Sequence, residues 1–248
     1  MEITLIGIGS GNPEHLTGAA IGALAGCDLV LIPSKSDEKQ ELAALRQALC
    51  DMHLPRNDAR IRRFEMPVRD PAIADYLARV EAWHDAIAAA WLAAIPTDTK
   101  RVALLIWGDP SLFDSSLRIA ARLKRRGDVV VKVIPGVTSL QLLTAAHAVP
   151  LNDLGAPVLI TTGRQLREGG WPACVDTVAV MLDGECSFQG LCAPGIHIWW
   201  GAYLGMKGEI LIQGPLPEVA SEIVAARSAA REQRGWIMDI YLLKRSAA

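Results

Sequence analysis

Ile3-Thr4-Leu5-Ile6-Gly7-Ile8-Gly9-Ser10-Gly11-Asn12-Pro13 opens the chain with a nearly unbroken apolar run that ends in a glycine-rich turn. Such a run reads as a strand buried on both faces, and the glycines mark its exit into a loop. Thr17 then stands at a helix N-cap position ahead of Ala20, Ile21 and Leu24, with Gly26 at the far end. A second short apolar strand, Leu29 to Ile32, is expected to stop at Pro33. Strands alternating with helices in this way predict a mostly parallel sheet covered on both sides, an α/β fold.

Three chemistries begin with a strand and a glycine turn. The dinucleotide fingerprint G-x-G-x-x-G wants its third glycine where Asn12 stands, and Pro13 and Thr17 delay the helix it needs at once. A P-loop fails because no Lys-Ser or Lys-Thr pair follows the glycines. A nucleotide-fold methyltransferase usually carries an acidic residue two before the first glycine, and that position is Leu5. Taken alone, the turn allows either close approach of a ligand or merely a tight bend.

Two more loops leave predicted strands at their carboxyl ends, where open α/β sheets bind ligands. Val102 to Ile106 leads into Trp107-Gly108-Asp109-Pro110-Ser111-Leu112-Phe113-Asp114, and Val129 to Ile134 into Pro135-Gly136-Val137-Thr138-Ser139. Asp109-Pro110 equally fits an ordinary type I turn. Thr138 or Ser139 would cap the next helix in any case, and free amides at a helix start can bind polar ligand atoms. The residues by themselves leave both readings open.

The remaining chain reads coarsely. Helices are expected over 38–52, about 70–95 with a stripe of Tyr76, Val80, Trp83, Ile87, Trp91 and Ile95, about 117–123, about 139–147 and about 216–234. Arg60, Arg62 and Arg63 read as a solvated face. Beyond 135, strands at Val158–Thr161, Val178–Leu182, Ile196–Trp200, Ile210–Gln213 and Ile237–Leu243 crowd together, which predicts a mixed sheet. The expected division is therefore residues 1–135 and 136–248.

Composition narrows the class. The 248 residues are 51% hydrophobic and 21% charged, so a packed core is certain and a mainly disordered chain is excluded. Twenty-five basic against 27 acidic side chains argue against a nucleic-acid binder. The start, Met1-Glu2-Ile3-Thr4, has no basic and apolar leader pattern, and the apolar stretch Ala86 to Ile95 is too short to span a bilayer. Five cysteines (Cys27, Cys50, Cys174, Cys186, Cys192) without a C-x-x-C pair fit a reduced, cytoplasmic compartment and no metal site.

In order and spacing, the three loops together resemble the tetrapyrrole (corrin/porphyrin) methylase family. The resemblance continues through His147-Ala148-Val149-Pro150-Leu151, Thr161-Thr162-Gly163-Arg164 and Val180-Met181-Leu182-Asp183. The long insertion between Ser34 and Lys100, with Trp200-Gly201-Ala202-Tyr203-Leu204-Gly205 and Gly235-Trp236-Ile237-Met238-Asp239, is similar to the branch that methylates precorrin-5 at C1 with loss of acetate. The loops alone do not separate ring positions, so another precorrin methyltransferase or a non-catalytic tetrapyrrole-binding protein stays an alternative.

The resemblance implies two α/β domains with the cofactor cleft between them, S-adenosylmethionine as methyl donor, S-adenosylhomocysteine as product, and a homodimer. Carried over, the cofactor contacts would be Trp107, Gly108, Asp109, Leu112, Thr138, Ser139, Met181, Leu182, Ala202 and Tyr203. Gly9, Gly11 and Pro13 would face the tetrapyrrole, and Lys35, Arg164 and Arg167 would meet its carboxylates. Loss of acetate invites a general base and an oxyanion donor. Glu14, His15, Asp114 and Asp183 are candidate bases, and Arg164 or Tyr203 candidate oxyanion holders. Their bland readings are a packed loop histidine, a helix cap at Asp114 and a turn former at Asp183.

Overall fold

A computed structural model describes residues 1–34, 40–55, 58–191 and 195–245. These fall into two compact units, Met1–Thr138 and Ser139–Ala248.

In the first unit, β1 (Glu2–Gly7), β2 (Leu29–Ser34), β3 (Ile61–Glu65), β4 (Arg101–Ile106) and β5 (Val130–Ile134) form a sheet in the order β3-β2-β4-β1-β5. Every pairing in it is parallel. The two-residue period of a strand splits its apolar residues between two cores. Ile3, Leu5, Leu29, Leu31, Val102 and Leu104 pack on one face against Ile87, Ala88 and Trp91 of α3 (Tyr76–Ala94) and Ile119, Ala120 and Leu123 of α4 (Ser116–Arg126). Ile6, Ile8, Val30, Ile32, Ala103 and Leu105 pack on the other against Ala20 and Leu24 of α1 (Gly18–Ala25) and Leu49 and Cys50 of α2 (Gln40–His53). Thr17 caps α1, its hydroxyl accepting from the Ala20 amide at 3.1 Å.

Three details differ from the sequence reading. Pro33 does not stop β2. Pairing with β4 ends at Leu31, so no neighbour needs the N–H that Pro33 lacks, while the strand runs on beside β3. Arg62 and Arg63 are exposed as expected and Arg60 is half-buried, but they belong to or adjoin a strand that was not expected. Ile61–Glu65 is the edge strand β3, whose charges protect an open edge. Arg60 binds Asp58 and donates to the Ala25 and Cys27 carbonyls, at and just past the end of α1, at 3.0 and 3.1 Å. Helix α3 begins only at Tyr76, because the Asp75 side chain accepts from the Ala78 amide and sets the start there.

His84 on α3 is 2% exposed, and both of its ring nitrogens lack hydrogen-bond partners among the described residues. Burial, and then the Arg122 guanidinium, push its pKa below the ordinary 6.5. The unfolded chain therefore binds the proton first, and stability falls as pH drops below about 6.5 towards the folded value. His84→Leu is expected to remove that acid-side loss, read as urea midpoints at pH 7.5 and 5.5.

In the second unit, β6 (Val158–Thr162), β7 (Thr177–Met181), β8 (Ile196–Ala202), β9 (Ile210–Pro215) and β10 (Asp239–Arg245) form a sheet ordered β6-β7-β10-β8-β9. Only β6 and β7 run parallel; β10 enters antiparallel between β7 and β8, making the sheet mixed. Helices α5 (Ser139–Ala146), α6 (Gly163–Gly169) and α7 (Leu216–Arg234) complete it. The short α6 was not among the helices expected from the sequence. Thr162 caps it by accepting from the Gln165 amide. Among the described residues no helix is long and apolar enough to cross a membrane.

Candidate functional site

Strands β4, β1 and β5 are neighbours, so the loops leaving their carboxyl ends meet. The Ile8 amide donates to the Ile106 carbonyl at 2.9 Å, and Gly9 and Gly108 then exchange amide-to-carbonyl bonds of 3.2 and 2.8 Å. This single antiparallel bridge ties two loops that leave a parallel sheet. The third loop packs into the same knot. A Cβ on Gly136 would lie 2.1 Å from the Gly108 carbonyl oxygen and 2.7 Å from the Gly7 carbonyl carbon.

Asp109 closes the arrangement. Its carboxylate accepts from the Ser111 amide at 2.8 Å, the Ser111 hydroxyl at 2.5 Å and the Gly136 amide at 2.9 Å. Burial alone would raise its pKa, but these donors outweigh burial and hold it below the usual value. The Asp109 side chain is thus committed to joining the second and third loops. The Trp107 ring lies against Gly11, within 3.2 Å of where a Cβ would sit there, and supports the first loop. Gly108 has φ +64°, and a Cβ on it would meet open space. That side of the turn is bare backbone. Leu112 lies half-buried just beyond, and Phe113 is left-handed at φ +50° and exposed.

On the first loop, Pro13–His15 make one 3₁₀ turn, which the Asn12 side chain caps by accepting from the Glu14 amide. Glu14 is exposed. His15 Nδ1 lies 2.9 Å from Ser10 Oγ, a partner that sequence reasoning missed although the two residues share one loop. Asp114 accepts from the Ser116 amide, the first of α4, at 2.6 Å, while Ser115 holds the N-cap position itself.

In the second unit the expected residues separate into two groups. Met181 ends β7, and Leu182 follows in a left-handed conformation, φ +53°, with 66% of its surface exposed. Ala202 is buried in β8, and Tyr203 after it is also left-handed, φ +52°. Left-handed conformations are uncommon in residues with side chains and concentrate at functional turns. Tyr203 cannot hold an oxyanion as expected, because its hydroxyl donates to the Trp236 carbonyl at 2.6 Å. Thr138 and Ser139 lie half-buried where α5 starts. Arg164 is exposed on α6, Arg167 is paired with Glu185 at 3.2 Å, and Lys35 lies outside the described residues.

Asp183 is corrected as a candidate base. It is 6% exposed and accepts four bonds: from Glu185 N (3.1 Å), Ser187 N (2.6 Å), Ser187 Oγ (2.9 Å) and Tyr241 Oη (2.7 Å). Burial works to raise its pKa, but the four donors prevail and hold it low. The same bond pushes the Tyr241 hydroxyl upward in addition to burial. Arg227 of α7 donates to the Asp183 carbonyl and to Asp239 Oδ2, both at 2.9 Å, and Trp200 Nε1 joins that carboxylate at 3.0 Å. Sequence reasoning missed this lattice, since its members lie as far as 58 positions apart. Its effect is to fix the turn that carries Leu182.

Comparison with known proteins defines the class. The profile of the tetrapyrrole (corrin/porphyrin) methylases matches residues 2–220, and the chain belongs to that family. Within it, the chain is 47% identical to a precorrin-6A synthase [deacetylating] from Sinorhizobium sp, over 99% of this chain and 96% of that one. A crystal structure of a cobalamin synthesis related protein (CobF) from Corynebacterium diphtheriae superposes with a TM-score of 0.83 at 37% identity, covering 99% of both chains. Uroporphyrin-III C-methyltransferase from Thermus thermophilus, solved with S-adenosylhomocysteine, shares the fold at a TM-score of 0.58 and 22% identity, over 98% of this chain and 97% of that one.

Proposed function

We infer that this chain is an S-adenosylmethionine-dependent methyltransferase of cobalamin biosynthesis that methylates precorrin-5 at C1 and releases acetate, giving precorrin-6A. The observation that carries this is the 47% identity to the deacetylating synthase along essentially the whole of both chains. The fold alone would not distinguish it from methylases that act elsewhere on the macrocycle.

When bound, S-adenosylmethionine supplies the methyl group from a sulfonium, with a neutral thioether as leaving group. The residues present fit it. Gly108 turns open backbone outward, and Leu182 offers an exposed apolar side chain. We assign cofactor contact to the backbone of 107–109, to Leu112, to Thr138 and Ser139, and to Met181, Leu182, Ala202 and Tyr203 in their two turns. Asp109 and Trp107 serve by holding these loops. Because displacement at a sulfonium needs alignment and dryness more than acid–base help, the protein's part in that step is to position and shield. The glycine loop with Pro13, together with Arg164, Arg167 and Lys35, is assigned to the polycarboxylate. We take the enzyme to act as a cytoplasmic homodimer of two-domain subunits.

Incubation with S-adenosylmethionine and precorrin-5 should yield equimolar acetate, S-adenosylhomocysteine and precorrin-6A, identified by mass. Calorimetry should register S-adenosylhomocysteine and not NADH. A methylated product that retains its acetyl group would reassign the ring position. Sedimentation at micromolar concentration reads the dimer.

A further inference from the structure

Loss of acetate requires something that methyl transfer does not: a group to take a proton from the water that attacks the acetyl carbonyl. The following rests on the function proposed above. Of the candidate bases, Asp183 accepts four hydrogen bonds and Asp114 accepts from the first amide of α4. Glu14 is exposed on the loop with no group to orient its carboxylate among the described residues. His15 differs from all three. One ring nitrogen is held by Ser10 at 2.9 Å, whereas Nε2 has no partner among the described residues and is not sealed from solvent. Its Cβ lies beside Gly9, 2.9 Å from where a Cβ on that glycine would be. Ser10 behind it is 8% exposed, while His15 is only half-buried.

We propose that His15 is the general base for deacetylation and that Ser10 is its positioning residue. Nδ1–H donates to Ser10 Oγ, which leaves the lone pair on Nε2, the nitrogen that has no hydrogen-bond partner among the described residues. Nε2 takes one proton from water as the hydroxyl oxygen bonds to the acetyl carbon. The bond from that carbon to C1 then breaks with its electron pair remaining on C1, and acetic acid leaves and ionises. The pair on C1 forms the new bond to the donated methyl carbon while sulfur keeps the electrons of the C–S bond. His15 returns its proton to solvent. An orienting hydroxyl behind a histidine whose far nitrogen is open is the arrangement an acid–base residue needs.

The test combines kinetics with spectroscopy of the free protein. His15→Gln should cut acetate release about 10²-fold or more, the usual scale of a general base, while S-adenosylhomocysteine affinity stays within about twofold of wild type. Ser10→Ala should lower kcat with KM little changed and displace the acid limb of the pH–rate profile, and Ser10→Thr should restore both. Nitrogen-15 spectra of the wild type should show the unprotonated type of signal at His15 Nε2. Wild-type turnover matched by His15→Gln, or a neutral wild-type ring protonated at Nε2, overturns the assignment alone. Absence of acetate from wild type, despite S-adenosylhomocysteine binding, overturns the proposed function and this assignment with it.

Discussion

Gly136→Ala is expected to cost about 3 kcal/mol of stability and about 10²-fold in turnover, the upper range for overpacking and the usual penalty for a misplacement near 1 Å. The new methyl would sit 2.1 Å from the Gly108 carbonyl oxygen, well inside van der Waals contact, and the atoms in its way are backbone rather than a side chain that could rotate. Relief must come by separating the third loop from the second. That breaks the bond from the Gly136 amide to Asp109 and disturbs the Gly9–Gly108 bridge with it. Weakened S-adenosylhomocysteine binding by calorimetry and a lower urea midpoint would register this. Gly22→Ala is the control. A Cβ there meets nothing within 4 Å, and helix α1 should gain about 0.5–1 kcal/mol. Equal behaviour of the two variants would refute the steric argument.

Asp183→Asn should be at least as damaging to stability, at about 3–5 kcal/mol, the range for breaking a buried charged network. All four groups around the carboxylate are donors, so an amide nitrogen in place of either oxygen would face a donor with another donor. Tyr241→Phe removes one of those donors and should cost roughly half as much. The pH dependence has a definite sign. Because the folded pKa lies below the unfolded 3.8, the stabilisation is complete above the unfolded value and disappears as pH falls through the folded one. Asp183→Asn should therefore flatten the acid limb of stability below about pH 5. Persistence of that limb would place the titrating group elsewhere.

Where the chain's apolar period was strong, the fold could be read directly. The parallel strands β1, β4 and β5 are runs of Ile, Leu and Val, and α7 spans the Leu216–Arg234 that its pattern suggested. Strand β3 escaped notice because an edge strand carries Arg62, Arg63 and Glu65 where a central one carries apolar residues. Helix α6 escaped because it is only about two turns long and is bracketed by Gly163 and Gly169, poor helix formers. The three glycine loops were legible as a set, yet their mutual fastening was not. Nothing in residues 7–9, 108–109 or 136 states that their backbones touch. Polar roles were hardest to read. Asp183, Asp114 and Tyr203 have the chemistry of reactive groups, and only their hydrogen-bond partners reveal them as fasteners.

The rung between Gly9 and Gly108 is made wholly of peptide groups. The side chains of Ser10, Glu14 and His15 take no part in that rung. Residues at 10, 14 and 15 can then be exchanged for others without loosening the rim, so reaction chemistry can be rewritten on an unchanged chassis. Grafting Ser10 and His15 onto a sister methylase is the engineering counterpart of that independence.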